Sequence, residues 1–166
     1  ARGRFEDAID AYSAAIEHGI SPAIDVFLAR GRLYNYMRYS LLAELDFKKV
    51  LLADPDEPRA WIGLAKSYLD RGMWLSARET INHLVEPPPA DGSKTDAKAV
   101  AALRARMIGL PPAAVAELHV HRALCYANLQ RYDLALQDLD LALGSAPDNP
   151  LALALRAEAH SILGDP

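Results

Sequence analysis

Five histidines (His18, His83, His119, His121 and His160) and one cysteine, Cys125, are the side chains best suited to metal or nucleophilic chemistry. His119 and His121 stand two apart, which on a helix sends them to different faces. His121 and Cys125, four apart, share a face. Two donors fall short of zinc, which takes four protein ligands, or three and a water. No glycine run suited to cradling phosphate occurs. Serines, histidines and aspartates are present, but none sits in a strained nucleophile turn. The expectation is a chain with no catalytic residues, no metal and no cofactor. A single cysteine rules out an internal disulfide and points to a reducing compartment, with cytoplasmic localisation as the expectation. Cys125 itself reads as a buried structural residue.

A second chemical pattern is more informative. Arg30 is followed sixteen residues later by Asp46, and Arg122 by Asp138 at the same spacing. Where the arginine is replaced by Leu64, the acid is replaced by Thr80. Charges that come and go together across sixteen residues require two antiparallel helices that bring them face to face. Bidentate arginine–carboxylate bridges are expected there, and Arg156 is expected to meet Asp138 in the same way.

Those helices recur. Pro55 and Pro89 lie 34 residues apart, and Pro147 follows 58 further on, which is one period plus an insert of 24. Counting 31 back from each proline gives copies at 24–57, 58–91 and 116–149. The fourth place holds Phe27, Trp61 and His119; the eighth Gly31, Ala65 and Ala123; the eleventh Tyr34, Tyr68 and Tyr126. The twentieth place is Ala43, Ala77 and Ala135, and the twenty-fourth Phe47, Ile81 and Leu139. Small residues at eight and twenty let two helices approach, and bulky ones fill the space on either side. The proline closes the second helix and restricts the residue before it.

This pattern resembles the tetratricopeptide repeat, a 34-residue helix–turn–helix unit with the signature W-x2-L-G-x2-Y…A-x3-F…P. The copy at 58–91 matches it best, through Trp61, Leu64, Tyr68, Gly72, Ala77 and Pro89. The resemblance implies an all-α fold, a right-handed α-solenoid of antiparallel helix pairs. It also implies a scaffold for protein–protein interaction that holds a partner segment in a concave groove. Some family members grip an acidic C-terminal tail through a lysine and asparagine, an asparagine, then a lysine and arginine. Here those places read Leu28, Arg32, Gly63, Glu117 and His121. One repeat along they read Ile62, Lys66, His121, Leu151 and Leu155. Neither frame fits.

The predicted helices run 5–17, 23–37, 41–53, 58–71, 74–86, 113–129, 132–144 and 150–163. Residues 1–22 read as the second helix of a truncated repeat and 150–166 as the first helix of another, so the chain reads as a piece of a longer array. Between the copies, 92–115 is an insert in which Ser93 or Thr95 opens an extra helix ending near Ile108, with Gly109 as its stop.

With 166 residues, 51% of them hydrophobic, and a net charge of −4, the chain offers neither strong attraction to nucleic acid nor a membrane-length apolar run. First-helix places two, five, six, nine, twelve and thirteen are expected to line the concave wall. The candidate partner-binding residues there are Leu28, Arg32, Asn35, Tyr36, Arg59, Ile62, Lys66, Leu69, His121, Leu124 and Asn128. Arg32, Arg59 and Lys66 suit an acidic protein or peptide. Two other readings stand beside this one. The chain is a regulatory or substrate-docking arm of a larger enzyme, or a structural array that self-associates end to end through its terminal helices.

Overall fold

The computed structural model describes residues 2–19, 23–85 and 109–164. Among the described residues there are eight helices and no strand: α1 (Arg2–Glu17), α2 (Ala23–Tyr36), α3 (Ser40–Ala53), α4 (Pro58–Asp70), α5 (Trp74–Asn82), α6 (Pro112–Asn128), α7 (Tyr132–Ser145) and α8 (Pro150–Leu163). The expected extra helix and most of the 92–115 insert lie outside the described residues. Helix bounds agree with the repeat frame to within a few residues. The main differences are α1, which starts three residues early, and α5, which stops at Asn82. Beyond Asn82 the chain tightens into a turn, with Leu84 and Val85 N–H both donating to the Ile81 carbonyl at 2.8 and 3.0 Å.

The helices start and stop for local reasons. Pro58 and Pro150 occupy first-turn positions, where their missing N–H costs nothing. Before them, Glu57 and Asn149 cap the free backbone donors of Arg59 and Ala152 through side-chain oxygens. The turn that ends each first helix uses one backbone device. Arg38, Gly72, Gln130 and Gly164 all hold positive φ, at 64°, 68°, 60° and 76°. Each is the fifteenth place counted from the start of its copy, so the left-handed residue recurs with the repeat.

Two compact units form, Ala1–Gly72 and Met73–Pro166. The boundary falls inside the copy at 58–91. In the first unit α1 packs on α2, α2 on α3, and α3 on α4, while α2 also reaches α4. Leu28, Ala43, Phe47, Val50, Ala60 and Leu64 form its core. In the second, α5 packs on α6, α6 on α7 and α7 on α8, and α6 also reaches α8. Ala123, Tyr126, Ala135, Leu139, Ala142 and Ala152 lie at the centre of that core. Packing on the next helix and the next but one, without a common centre, is how a solenoid buries its apolar faces. The predicted small places are tight: Ala43, Ala77 and Ala123 have no exposed surface, and Ala135 has 1%. Phe47, fully buried, contributes about 1.5–3 kcal/mol by its burial alone.

Candidate functional site

The expected charge pairs form, and they belong to the framework. Arg30 donates from Nε and Nη2 to the two oxygens of Asp46, both at 2.8 Å. Arg122 does the same to Asp138, at 2.7 and 2.6 Å. The hydrogen bond from Arg30 to Asp46 raises the arginine's pKa, against the opposing effect of burial. His119 joins the second pair, its Nδ1 2.9 Å from Asp138 Oδ1. Arg156 departs from expectation. It stands 3.6 Å from Asp140 rather than meeting Asp138, whose oxygens Arg122 already closes. Cys125 is fully buried, and burial pushes its thiol up to about 12, so it stays protonated and a poor nucleophile at neutral pH.

The predicted wall residues divide sharply by burial. In the first unit Leu28 and Asn35 are each 4% exposed and are therefore packing residues, not contact residues. Leu28 joins the core, and Asn35 ties α2 to α4. Its Nδ2 donates to the Gly63 carbonyl at 2.8 Å, and its Oδ1 accepts from Ser67 Oγ at 2.8 Å. That contact works because Gly63 has no side chain. A Cβ there would lie 2.2 Å from Phe47 Cζ. Arg59 reaches the surface but is engaged: Nε and Nη2 donate to Glu57 at 2.9 and 2.8 Å, and Asp25 lies at 3.5 Å. The Arg59 hydrogen bond holds Glu57 below the usual carboxylate range despite its partial burial. Asp70, at the wall's thirteenth place, is paired with Arg38. Ile62 and Leu69 are half-buried, whereas Arg32, Tyr36 and Lys66 are exposed.

Arg32 and Lys66 hold the ninth places of successive first helices, 34 residues apart, on helices that pack together. Neither has a counter-charge among the described residues. Beside Arg32 opens a cleft of about 660 Å³ between α1 and α2. Phe5, Ala8 and Tyr12 line it from α1, and Ala29, Leu33 and Tyr36 from α2, with Arg4 and Arg32 at its polar edge. Tyr36, 69% exposed, tilts against Phe5 with ring centroids 5.0 Å apart. Sequence reasoning misses the contribution of α1, although its aromatic residues are an available signal.

In the second unit His121 is half-buried, 4.0 Å from Glu117, and Leu124 is half-buried beside it. Asn128 is exposed but donates back to the Leu124 carbonyl at 2.9 Å. These three make a weaker surface than the first unit's. Among the described residues no group of three or more His, Cys, Asp or Glu side chains could hold a metal. No described helix is long and apolar enough to cross a membrane.

A family model described as the tetratricopeptide repeat matches residues 95–150. The match begins within the segment read from the sequence as an insert. No curated protein matches the chain. Among solved structures, the crystal structure of MamA is similar with a TM-score of 0.75 and 16% identity, over 98% of this chain and 81% of that one. A tetratricopeptide repeat protein from Parabacteroides merdae gives 0.72 and 19%, over 98% of this chain and 55% of the other. A thermophilic protein of the same repeat class from Thermus thermophilus gives 0.57 and 18%, over 98% and 76%. At such identities the likeness speaks to fold.

Proposed function

We propose that the chain, an all-α solenoid whose residues 95–150 match a tetratricopeptide-repeat model, acts as a scaffold holding a partner protein's segment rather than as a catalyst. The supporting observation is the pair of exposed, uncompensated cations Arg32 and Lys66 on successive first helices, with Arg32 bordering the aromatic cleft of α1 and α2. This favours a segment with acidic side chains to meet the cations and an apolar or aromatic anchor to enter the cleft beside Phe5, Tyr12 and Tyr36. Apolar anchors of this kind carry most of the affinity, and the charges set register and approach rate. Arg59 is left out of the contact set because Glu57 and Asp25 already neutralise it.

The test is a pool of acidic, aromatic-containing peptides selected on the whole chain and then rescored on variants. Arg32→Ala with Lys66→Ala is expected to weaken the selected peptides by roughly tenfold or more and to flatten their salt dependence. Tyr36→Ala is expected to weaken the anchor, while Arg59→Ala leaves binding nearly unchanged. If the double variant keeps every peptide at full affinity, or none is selected, the reading fails.

A further inference from the structure

At three outward places of the second helices, one copy breaks the pattern of the others. The eighteenth, twenty-second and twenty-ninth places of α3 hold Leu41, Leu45 and Leu52. On α7 the same places are Asp133, Gln137 and Gly144. On α1, with Ala8 set against Ala43, they are Glu6, Asp10 and Glu17. All nine are exposed. Polar or small residues suit such places, yet Leu41, Leu45 and Leu52 are 62%, 58% and 85% exposed. The opening lies inside the array: α3 already packs on α2 and on α4, and this face is the one left after both. A helix apolar on every side is normally buried on every side. A contiguous exposed apolar strip marks an interaction site.

The strip is complementary to itself. Leu41 and Leu52 are eleven residues apart, three turns or about 16 Å, so they stand at the two ends of one face. Leu45 lies between them. At the Leu41 end opens a pocket of about 450 Å³, lined by Tyr39, Leu41 and Leu42 and closed on the α4 side by Asp70 and Arg71. At the other end, Leu52 is the most exposed large apolar side chain among the described residues. A knob and an open socket at opposite ends of one helix fit a second copy turned end for end, which is a closed two-fold arrangement. The charges agree. Only Lys48 and Lys49 carry charge on the exposed arc of α3. Lys48 donates to its own Glu44 at 2.7 Å, and Lys49 lies 5.0 Å from the centre of the Phe27 ring. Two such faces therefore meet with Lys48 already compensated on each.

We propose that α3 pairs antiparallel with α3 of a second copy of the chain, Leu52 of each entering the pocket of the other beside Tyr39, Leu41 and Leu42. Leu45 then packs along the aliphatic stem of Lys48 of the second copy. A lipid surface is the poorer occupant. The helix α1, which packs on the same α2, exposes Glu6, Asp7, Asp10 and Glu17, and these repel anionic headgroups. One helix and its adjoining turn offer less than the ~800 Å² per partner of a standard interface, so the dimer is weak, half-dissociated at roughly 10–500 µM. The face shares no residue with the Arg32 and Lys66 surface, so the two proposals fail separately.

Sedimentation equilibrium of the whole chain, from low micromolar to millimolar concentration, is expected to show monomer passing to dimer. Leu52→Glu should weaken the association by roughly a hundredfold or more and leave Tm unchanged, because the side chain is solvated in the monomer. Cysteine pairs read the register. Leu41→Cys mixed with Leu52→Cys should give a disulfide-linked dimer on oxidation with diamide. Neither variant alone should do so, since its two copies of the site stand about 16 Å or more apart across the axis. The native Cys125 is buried and does not compete. A chain that stays monomeric at every concentration overturns the proposal, whether a partner protein, lipid or water covers the face. So does a dimer indifferent to Leu52→Glu, or one in which either cysteine variant links to itself as readily as to the other.

Discussion

Arg30 in the first unit keeps 14% of its side chain exposed, whereas Arg122 in the second keeps 1%. Both meet an aspartate in the same bidentate geometry, yet their remaining surroundings differ. The guanidinium of Arg30 faces the rings of Phe27 and Tyr34, each 5.7 Å from centroid to Cζ, and touches Ser13 at its outer nitrogen. Arg122 is enclosed instead by Asp138, by Asn82, and by the Val85 carbonyl at 3.4 Å. The fourth-place residue accounts for part of the contrast: Phe27 offers a π-face to the arginine, while His119 turns its Nδ1 to the aspartate. One device therefore serves at two depths. The deeper copy needs a complete shell of acceptors, because a buried charge without partners is far more costly than a buried pair.

The largest effect expected from this contrast comes from removing the counter-charge. Asp138→Asn keeps the shape but strands Arg122 in a dry site, and should cost about 3–5 kcal/mol. Asp46→Asn leaves Arg30 with some solvent and two aromatic faces, and should cost less, about 1.5–3 kcal/mol. Urea titration combined with amide exchange would read the two units separately, as two compact units need not unfold as one. Equal losses at the two sites would show that depth does not govern the clamp.

The same two regions also solve a volume problem differently. In the first unit the bulky Phe47 of α3 meets Gly63 of α4, and the missing side chain makes room for the ring. In the second, Leu139 of α7 and Leu155 of α8, again sixteen residues apart, divide the space between two medium residues. Gly63→Ala should therefore overpack the first core, by about 1–3 kcal/mol. Phe47→Leu in that background should recover part of the loss, although alone it destabilises. Thermal unfolding of the two single variants and the double gives the coupling between the sites. Additive losses would mean that the cost of the new methyl does not come from the Phe47 ring.

Much of this is legible in the sequence, because repetition exposes what a single copy hides. Arg30 with Asp46 and Arg122 with Asp138 can be paired because both charges vanish together at Leu64 and Thr80. The same logic fails for Arg156: its partner lies on the preceding second helix at the place of Asp140, and the Asp138 site is already full. Asn35 and Leu28 hold helical positions that the repeat frame assigns to the concave wall. Their burial depends on how closely α4 approaches, which rests on Gly63, and no pattern within α2 reports it. Arg59 reads as available charge, although Glu57, two residues earlier and next to Pro58, carries a capping signal. The contribution of α1 to the cleft depends on how α1 packs on α2, which no repeat position announces.

The smallest effect concerns the turn that closes each first helix, where the two units again differ only in residue type. Gly72 and Gly164 hold positive φ without strain, but Arg38 and Gln130 adopt it at 64° and 60° with a Cβ in the way. A left-handed conformation costs a non-glycine residue roughly 1 kcal/mol, and glycine returns part of that gain through its freer unfolded chain. Gln130→Gly is thus expected to stabilise the second unit by about 0.5–1 kcal/mol, seen as a small rise in Tm. Arg38→Gly should gain less, because it also removes the ion pair to Asp70. That pair lies at the surface, with 75% of the arginine side chain exposed, and such pairs are worth about 0–1 kcal/mol. A gain at Gln130 with little or none at Arg38 would show that the first unit tolerates its strained turn because the arginine has a partner. Equal gains would mean that the ion pair contributes nothing, and a loss at both would mean that the fifteenth place carries no strain.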